Sequence, residues 1–334
     1  MLSDRLPLAL ENGAVEMPAE GRIAVVAPSP GADISSLPKE RVVVVSRYYP
    51  VYRAFADRGY SVAVAPDGHF AMAVICLPRS KAEARALVAE VLPLTNGPVV
   101  IDGQKTDGVA SMLKELRKRG DVGEVLSKAH GKLFTVRGAE CRDWVAKATK
   151  VAHPMDPARQ FMTSPGLFSA DGVDPGSAAL AEALPDAMKG HVVDLGAGWG
   201  FLSDAILKRN GVTRLDLVEA DHAALDAARQ NISDPRAAFH WADALTFRAD
   251  AAVDHVVTNP PFHTGRAAEP SLGQGFIRAS ASILKPRGHL WLVANRHLPY
   301  EKTLEAGFRS VRLLGQTAEY KLFTATQPRT PRKG

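Results

Sequence analysis

The chain has 334 residues, 46% of them apolar and 23% charged, with 41 Lys and Arg against 36 Asp and Glu. That length exceeds the usual ~100–200-residue domain, so two domains of similar size are expected, and the mixture excludes a disordered chain. No apolar run approaches the ~18–20 residues that cross a bilayer, residues 1–15 show no leader-like cleavage pattern, and the small positive excess permits an anionic partner without requiring one, so a cytoplasmic location is expected.

In chain order, apolar β-branched runs at 23–27, 42–45, 62–65, 73–77 and 99–101 alternate with helix-like stretches at 82–92 and 109–119. Continuous apolar runs between helical patterns predict a largely parallel sheet covered on both faces. A Pro-containing, weakly patterned stretch at 151–165 reads as an inter-domain linker. Beyond it the alternation resumes: strand 191–195, helix 201–209, strand 214–218, helix 222–231, strand 237–240, strand 253–258, helix 271–284 and strand 289–293. Leu272, Phe276, Ala279 or Ser280, and Ile283 form one stripe at helical spacing, which predicts a sheet-covering face. Strand-like runs at 308–315 and 319–326 around a short turn predict an antiparallel hairpin on the sheet edge.

The two halves read as copies. Lys132-Leu133-Phe134-Thr135 echoes Lys321-Leu322-Phe323-Thr324, and Gly97-Pro98-Val99-Val100-Ile101 aligns with Gly288-His289-Leu290-Trp291-Leu292. Val74-Ile75-Cys76-Leu77-Pro78 likewise aligns with Val256-Val257-Thr258-Asn259-Pro260. Three segments in a shared order point to duplication of one α/β domain.

The chemistry lies in the second copy. There Asp194-Leu195-Gly196-Ala197-Gly198-Trp199-Gly200-Phe201 delivers a glycine-rich turn from a buried strand to a helix, letting a nucleotide-like ligand approach the backbone. The glycine spacing departs from the dinucleotide pattern, with Phe201 following the last glycine, which argues against a dehydrogenase. Glu219 follows the next strand, where a carboxylate can accept from both hydroxyls of a ribose. Asp243 is placed to meet an adenine amino group, with Ala244 as a backbone donor; a capping role is the plainer alternative. In Asn259-Pro260-Pro261-Phe262 the two prolines stiffen the turn, so that the Asn259 side chain and the Pro260 carbonyl can act as fixed acceptors for an NH₂ group. Phe262 can stack on a planar substrate. Cys76 and Cys141 are far apart and the ten histidines show no ligand spacing, so no metal is expected.

Together these blocks resemble class I methyltransferases that act on planar amino nitrogens. Residues 165–174 (Pro165-Gly166-Leu167-Phe168 onward), Asn259-Pro260-Pro261-Phe262-His263, and residues 293–300 (Val293-Ala294-Asn295-Arg296 onward) more narrowly resemble the bacterial ribosomal RNA guanine-N2 methyltransferases, over nearly all of 164–326. The resemblance implies two tandem Rossmann-like domains: a degenerate copy at 1–150 for RNA binding or support, a catalytic copy at 151–326, and a basic tail at 327–334. In the first copy Leu77-Pro78-Arg79 replaces Asn259-Pro260-Pro261 and no glycine turn follows its first strand, while Lys105, Lys114, Arg117, Lys118, Arg119, Lys128, Lys132 and Arg137 offer an RNA contact or a solvated face.

The resemblance further implies S-adenosyl-L-methionine as cofactor, bound by Phe168, Asp194, Gly196, Ala197, Gly198, Gly200, Glu219, Ala220, Asp243, Ala244 and Asn259. Asn259, Pro260 and Phe262 would be catalytic, and Pro261, Phe262 and His263 would meet the substrate. The expected partner is ribosomal RNA or a ribosomal subunit, small subunit favoured, the base being flipped or unpaired, and the protein a monomer. Methylation of large-subunit guanine, adenine or a protein glutamine is the alternative within enzymes. An RNA-binding assembly factor is the alternative outside them.

Overall fold

The computed structural model describes residues 2–154, 156–261 and 270–329. The chain forms two compact units, Met1–Ala148 and Thr149–Gly334.

The first unit contains α1 (Leu2–Glu11), β1 (Ile23–Val26), β2 (Val42–Val45), α2 (Tyr49–Asp57), β3 (Ser61–Ala63), β4 (Met72–Cys76), α3 (Lys81–Val91), β5 (Val99–Gln104), α4 (Val109–Leu116), β6 (Asp121–Val122), β7 (Leu126–Lys128) and β8 (Gly131–Arg137). Its sheet runs β3-β2-β1-β4-β5-β8-β6, with β7 also on β8. Strands β1 to β5 are parallel and β8 is antiparallel to β5. The strand cores are buried on both faces, as their unbroken apolar composition requires. Helix α1 is absent from the sequence reading because Pro7 and Arg5 interrupt its apolar pattern. It holds because Arg5, fully buried, donates to Asp102 from Nε at 2.6 Å and from Nη2 at 2.9 Å.

The second unit contains β9 (Thr149–His153), β10 (Asp156–Thr163), α5 (Pro175–Ala183), β11 (Ala187–Leu195), α6 (Phe201–Leu207), β12 (Asn210–Glu219), α7 (His222–Asn231), β13 (Ala237–Trp241), β14 (Val253–Thr258), α8 (Pro270–Ile283), β15 (Leu284–Asn295), α9 (Glu301–Gly307), β16 (Phe308–Gln316) and β17 (Tyr320–Pro328). The sheet order is β13-β12-β11-β14-β15-β17-β16, with β17 alone running antiparallel, between β15 and β16. The predicted terminal hairpin is therefore present, with β17 inserted beside β15 and β16 at the edge. Helix α8 buries Phe276, Ile277, Ala279 and Ile283 against the sheet. Each large apolar side chain so covered contributes about 1.5–3 kcal/mol.

The two sheets share one strand order through their first five strands, and their closing strands share a register. Ile101 pairs with Phe134 in the first unit and Leu292 with Phe323 in the second, the same residues that the repeat aligns. One expectation is corrected. Residues 151–165 are not a linker, because β9 and β10 form an antiparallel hairpin belonging to the second unit. Phe161 is 1% exposed within that unit's core. Asn231 brackets Met162, its Oδ1 accepting from the Met162 amide at 2.6 Å and its Nδ2 donating to the Met162 carbonyl at 2.9 Å. These anchors are distant in sequence, whereas the prolines that suggest a linker are local.

Candidate active site

The site is assembled where four parallel strands of the second unit end together. Strand β11 closes on Asp194 and Leu195, and the chain turns through the glycines into α6. Backbone N–H groups of Gly196 and Ala197 donate to the Val218 carbonyl at 2.9 and 3.1 Å, tying the turn to β12. Gly200 adopts φ of 95° at the N-cap of α6, where a Cβ would lie 2.8 Å from Ile232 Cδ1. Gly198 differs: its φ is 55°, and a Cβ built on it meets nothing within 4 Å. The space over Gly198 is therefore an open cradle, and its backbone conformation disfavours any side chain that would fill it.

Glu219, the last residue of β12, fixes that cradle. Its Oε2 accepts from the Gly198 N–H at 2.8 Å and its Oε1 from the Asp221 N–H at 2.8 Å. Burial raises the Glu219 pKa, with these backbone donors opposing the rise. Each oxygen keeps a further lone pair for a ligand hydroxyl. Asp194 lies beneath, fully buried, accepting from Ser203 Oγ at 2.6 Å. Its Oδ1 has no partner among the described residues. Burial, aided by the charge of Glu219 and opposed by Ser203, raises the Asp194 pKa to about 7.

Asn259 follows β14. Its Nδ2 donates to Asp174 Oδ2 and to Ser177 Oγ, each at 2.8 Å. A carboxylate can only accept, so this pairing fixes the amide's orientation and leaves Asn259 Oδ1 as the free acceptor. Asp174 is itself the N-cap of α5, its Oδ2 accepting from the Ser177 N–H at 2.7 Å. Pro260 is buried and Pro261 exposed. A narrow cleft of about 50 Å³ is lined by Phe168, Asp174, Ser177, Gly198, Trp199 and Asn259, among others. Trp199 Nε1 donates to the Phe168 carbonyl at 3.0 Å, holding that segment beside the glycine turn.

Of the residues expected from sequence, Phe168, Gly196, Ala197, Gly198 and Asn259 line this cleft, and Glu219 braces it. Gly200 serves as the helix cap. Asp243, Ala244 and Ala220 do not line it. Asp243 Oδ1 accepts from the Leu245 N–H at 2.9 Å in a local turn, the plainer reading of that carboxylate. The Ala220 carbonyl accepts from Trp241 Nε1 at 2.9 Å, and Ala244 is 6% exposed, its methyl group in the core. Phe262 and His263 lie outside the described residues. Sequence reasoning gave no role to Ser177 or Trp199. Asp174 before Pro175 is a helix-start signal, but its hold on Asn259 is not visible in sequence.

An open sheet of this strand order, with a glycine turn after its first strand and an acidic residue closing the second, is that of the class I methyltransferases, and Asn-Pro-Pro after the fourth strand fits those acting on planar amino nitrogens. Residues 158–324 match the methyltransferase small domain family model, and the chain belongs to that family. It is 30% identical to the ribosomal RNA small subunit methyltransferase C of Pseudomonas paraeruginosa, over 79% of this chain and 81% of that one. The protein of the same name from Hahella chejuensis is 28% identical over 80% of each. Among solved structures, the T. thermophilus 16S rRNA N2 methyltransferase in complex with AdoMet and guanosine is similar at a TM-score of 0.77 and 27% identity, over 93% of this chain and 89% of that one.

Proposed function

We propose that methyl transfer to the N2 exocyclic amine of a guanine in small-subunit ribosomal RNA occurs in the cleft between the glycine turn and Asn259. The protein is an S-adenosylmethionine-dependent methyltransferase. The observation that carries the assignment of the site is the fixed Asn259 amide, whose NH₂ group is held by Asp174 and Ser177 while its oxygen stays available. An available acceptor beside a glycine cradle suits an amino substrate.

The open space over Gly198 fits the cofactor, since it is bounded by backbone and by Glu219 and would be filled by any Cβ. S-adenosylmethionine supplies, when bound, the electrophilic methyl group. Glu219 accepts from the ribose hydroxyls, and the turn from Gly196 to Gly200 admits the cofactor close to the backbone. Asp194 braces the turn from below. Asp243, with Ala244 and Ala220, is assigned to the adenine end on its place after β13. Asn259 Oδ1 and the Pro260 carbonyl accept from the guanine amine and aim its nitrogen, so that catalysis is chiefly positioning. Phe262 and His263, with Pro261, are assigned to the base on sequence alone. Water takes the proton released, while the Asp174 carboxylate stays engaged with Asn259 and the Ser177 N–H.

The first unit supports RNA recognition rather than chemistry: Leu77, buried at the position aligned with Asn259, cannot accept a hydrogen bond. We assign the protein to the cytoplasm, as a monomer; no described helix is long and apolar enough to cross a membrane. The test is Asn259→Ala, assayed with labelled S-adenosylmethionine and small-subunit RNA and by digestion for N2-methylguanine. The rate should fall about a hundredfold or more, the typical loss of one preorganised polar group, while cofactor affinity holds. Transfer at the wild-type rate would return the Asn-Pro-Pro turn to a purely structural role.

A further inference from the structure

The opposite edge of the catalytic sheet carries a second feature that methyl transfer does not use. Helices α8 and α9 both run down from the carboxyl edge, and β16 begins and β17 ends beside their last turns. Between them lies a groove of about 870 Å³ lined by Arg278 and Ser282 of α8, Lys302 and Thr303 of α9, Arg309 of β16, and Arg329. No acidic side chain lines it among the described residues. Arg278, Lys302 and Arg309 are exposed, and none forms an ion pair or hydrogen bond with a described residue. Arg329 is anchored, its Nε donating to the Phe308 carbonyl at 3.1 Å.

Compensation of helix dipoles does not explain this cluster. Lys302 lies in the first turn of α9, where a cation opposes the dipole, and Arg309 and Arg329 are not on helices. Charge distribution along the chain points the same way. Residues 270–334 hold eleven Lys and Arg against three Asp and Glu, whereas residues 1–269 hold thirty against thirty-three. The whole positive excess of the protein therefore belongs to the segment that builds this groove.

We infer that this groove binds the phosphodiester backbone of the substrate RNA, at a point remote from the modified base. The inference rests on the RNA reading given above. Strand β15 passes from Leu284 at the groove edge to Leu292, which pairs with Thr258 beside the cleft. Leu284 pairs with Val253 and Leu292 with Thr258, only five residues further along β14, so at about 3.3 Å per residue groove and cleft stand roughly 15–20 Å apart along the sheet, and the two engage different parts of one folded RNA. Unpartnered guanidinium and ammonium groups in a groove lined by no described acidic side chain suit phosphate oxygens, and each phosphate neutralised releases counterions. The groove thus adds affinity and register without reading sequence.

The test is the full-length triple variant Arg278→Gln, Lys302→Gln, Arg309→Gln, with thermal unfolding and cofactor calorimetry as controls for the fold and the cleft. Binding to naked small-subunit RNA is measured by filter retention from 50 to 300 mM KCl. Affinity at 100 mM should fall about tenfold or more, and the slope of log K against log salt should become shallower by about 2, from roughly 0.7–0.9 per lost phosphate contact. In turnover, KM for RNA should rise with kcat retained. Unchanged affinity and slope would overturn the proposal, and so would a loss seen only with assembled subunits, since that would place a protein in the groove. A wild-type enzyme that binds RNA through the groove yet forms no N2-methylguanine would instead overturn the functional reading and leave the groove standing.

Discussion

Asp174 gives the sharpest test of how the site works, because one carboxylate oxygen serves two ends. Oδ2 accepts from the Ser177 N–H at 2.7 Å, capping α5, and from Asn259 Nδ2 at 2.8 Å, orienting the amide. Replacing Asp174 by Ala removes both interactions. Loss of the cap costs about 1 kcal/mol. Leaving the Asn259 donor short of a partner costs about 1–3 kcal/mol more. The catalytic unit should then unfold roughly 5–15 °C lower, at about 2–4 °C per kcal/mol for a domain of this size. Below that transition, Ser177 Oγ remains as a partner but can donate as well as accept, so the amide is no longer fixed and can turn its NH₂ to the substrate. Turnover should fall about ten- to a hundredfold, the order expected when a positioning group is misplaced by an ångström. Cofactor affinity, set by Glu219 and the glycine turn, should change little. Asp174→Asn is the control: its single carbonyl oxygen can occupy the place of Oδ2 and accept from both donors, so the cap and most of the rate should return. Initial rates of label transfer to RNA, calorimetry with S-adenosylmethionine and a thermal melt on each variant provide the measurements. A folded Asp174→Ala enzyme at full rate, or an Asp174→Asn enzyme no better than it, would refute the holding role.

Further outcomes are expected at three other places. Gly198→Val should abolish cofactor binding by calorimetry while the fold persists at a cost of about 1–2 kcal/mol, because the branched side chain enters open space but at a left-handed φ of 55°; wild-type affinity would place the cofactor elsewhere. Asp194, with its folded pKa raised to about 7 by burial against an ordinary 3.8, contributes stability that is full below the unfolded pKa and is lost as pH rises through about 7. Asp194→Asn, a permanent neutral mimic, should therefore be more stable than the wild type at pH 8, by up to about 4 kcal/mol in urea unfolding, with the advantage shrinking as pH falls below about 7 and gone only near pH 4. Equal stability of the two at both pH values would contradict this. A fragment of residues 149–334 should keep cofactor affinity and lose most activity on RNA; full activity would leave the first unit without the recognition role assigned to it.

The alternation of apolar runs places the parallel strands of both sheets, the terminal hairpin and helices α3, α4, α6, α7 and α8, because burial on a sheet imposes a local period that each segment carries by itself; the short strands β6 and β7, the hairpin β9–β10 and helices α1, α2, α5 and α9 carry no such signal. The glycine turn, Glu219 and Asn259 were legible for a related reason: their spacing from strand ends puts them on one edge of any parallel sheet of this order. The linker expected at 151–165 shows the limit, since prolines are a local signal and the partners that turn this stretch into a hairpin, Asn231 and the core around Phe161, are remote.

Helix α1 was missed because its stability depends on Arg5 reaching Asp102, 97 residues away. The same holds at the active site. Sequence offers Asn259 as an acceptor but shows nothing that would hold its NH₂ away from the substrate, and that is supplied only by the meeting with Asp174, 85 residues earlier. Periodicity is a property of neighbours along the chain. The direction of an amide, the pKa of a buried carboxylate such as Asp194, and the gathering of cations from two helices and a strand hairpin into one groove depend on which segments the sheet order brings side by side, and that is settled only when the chain has folded.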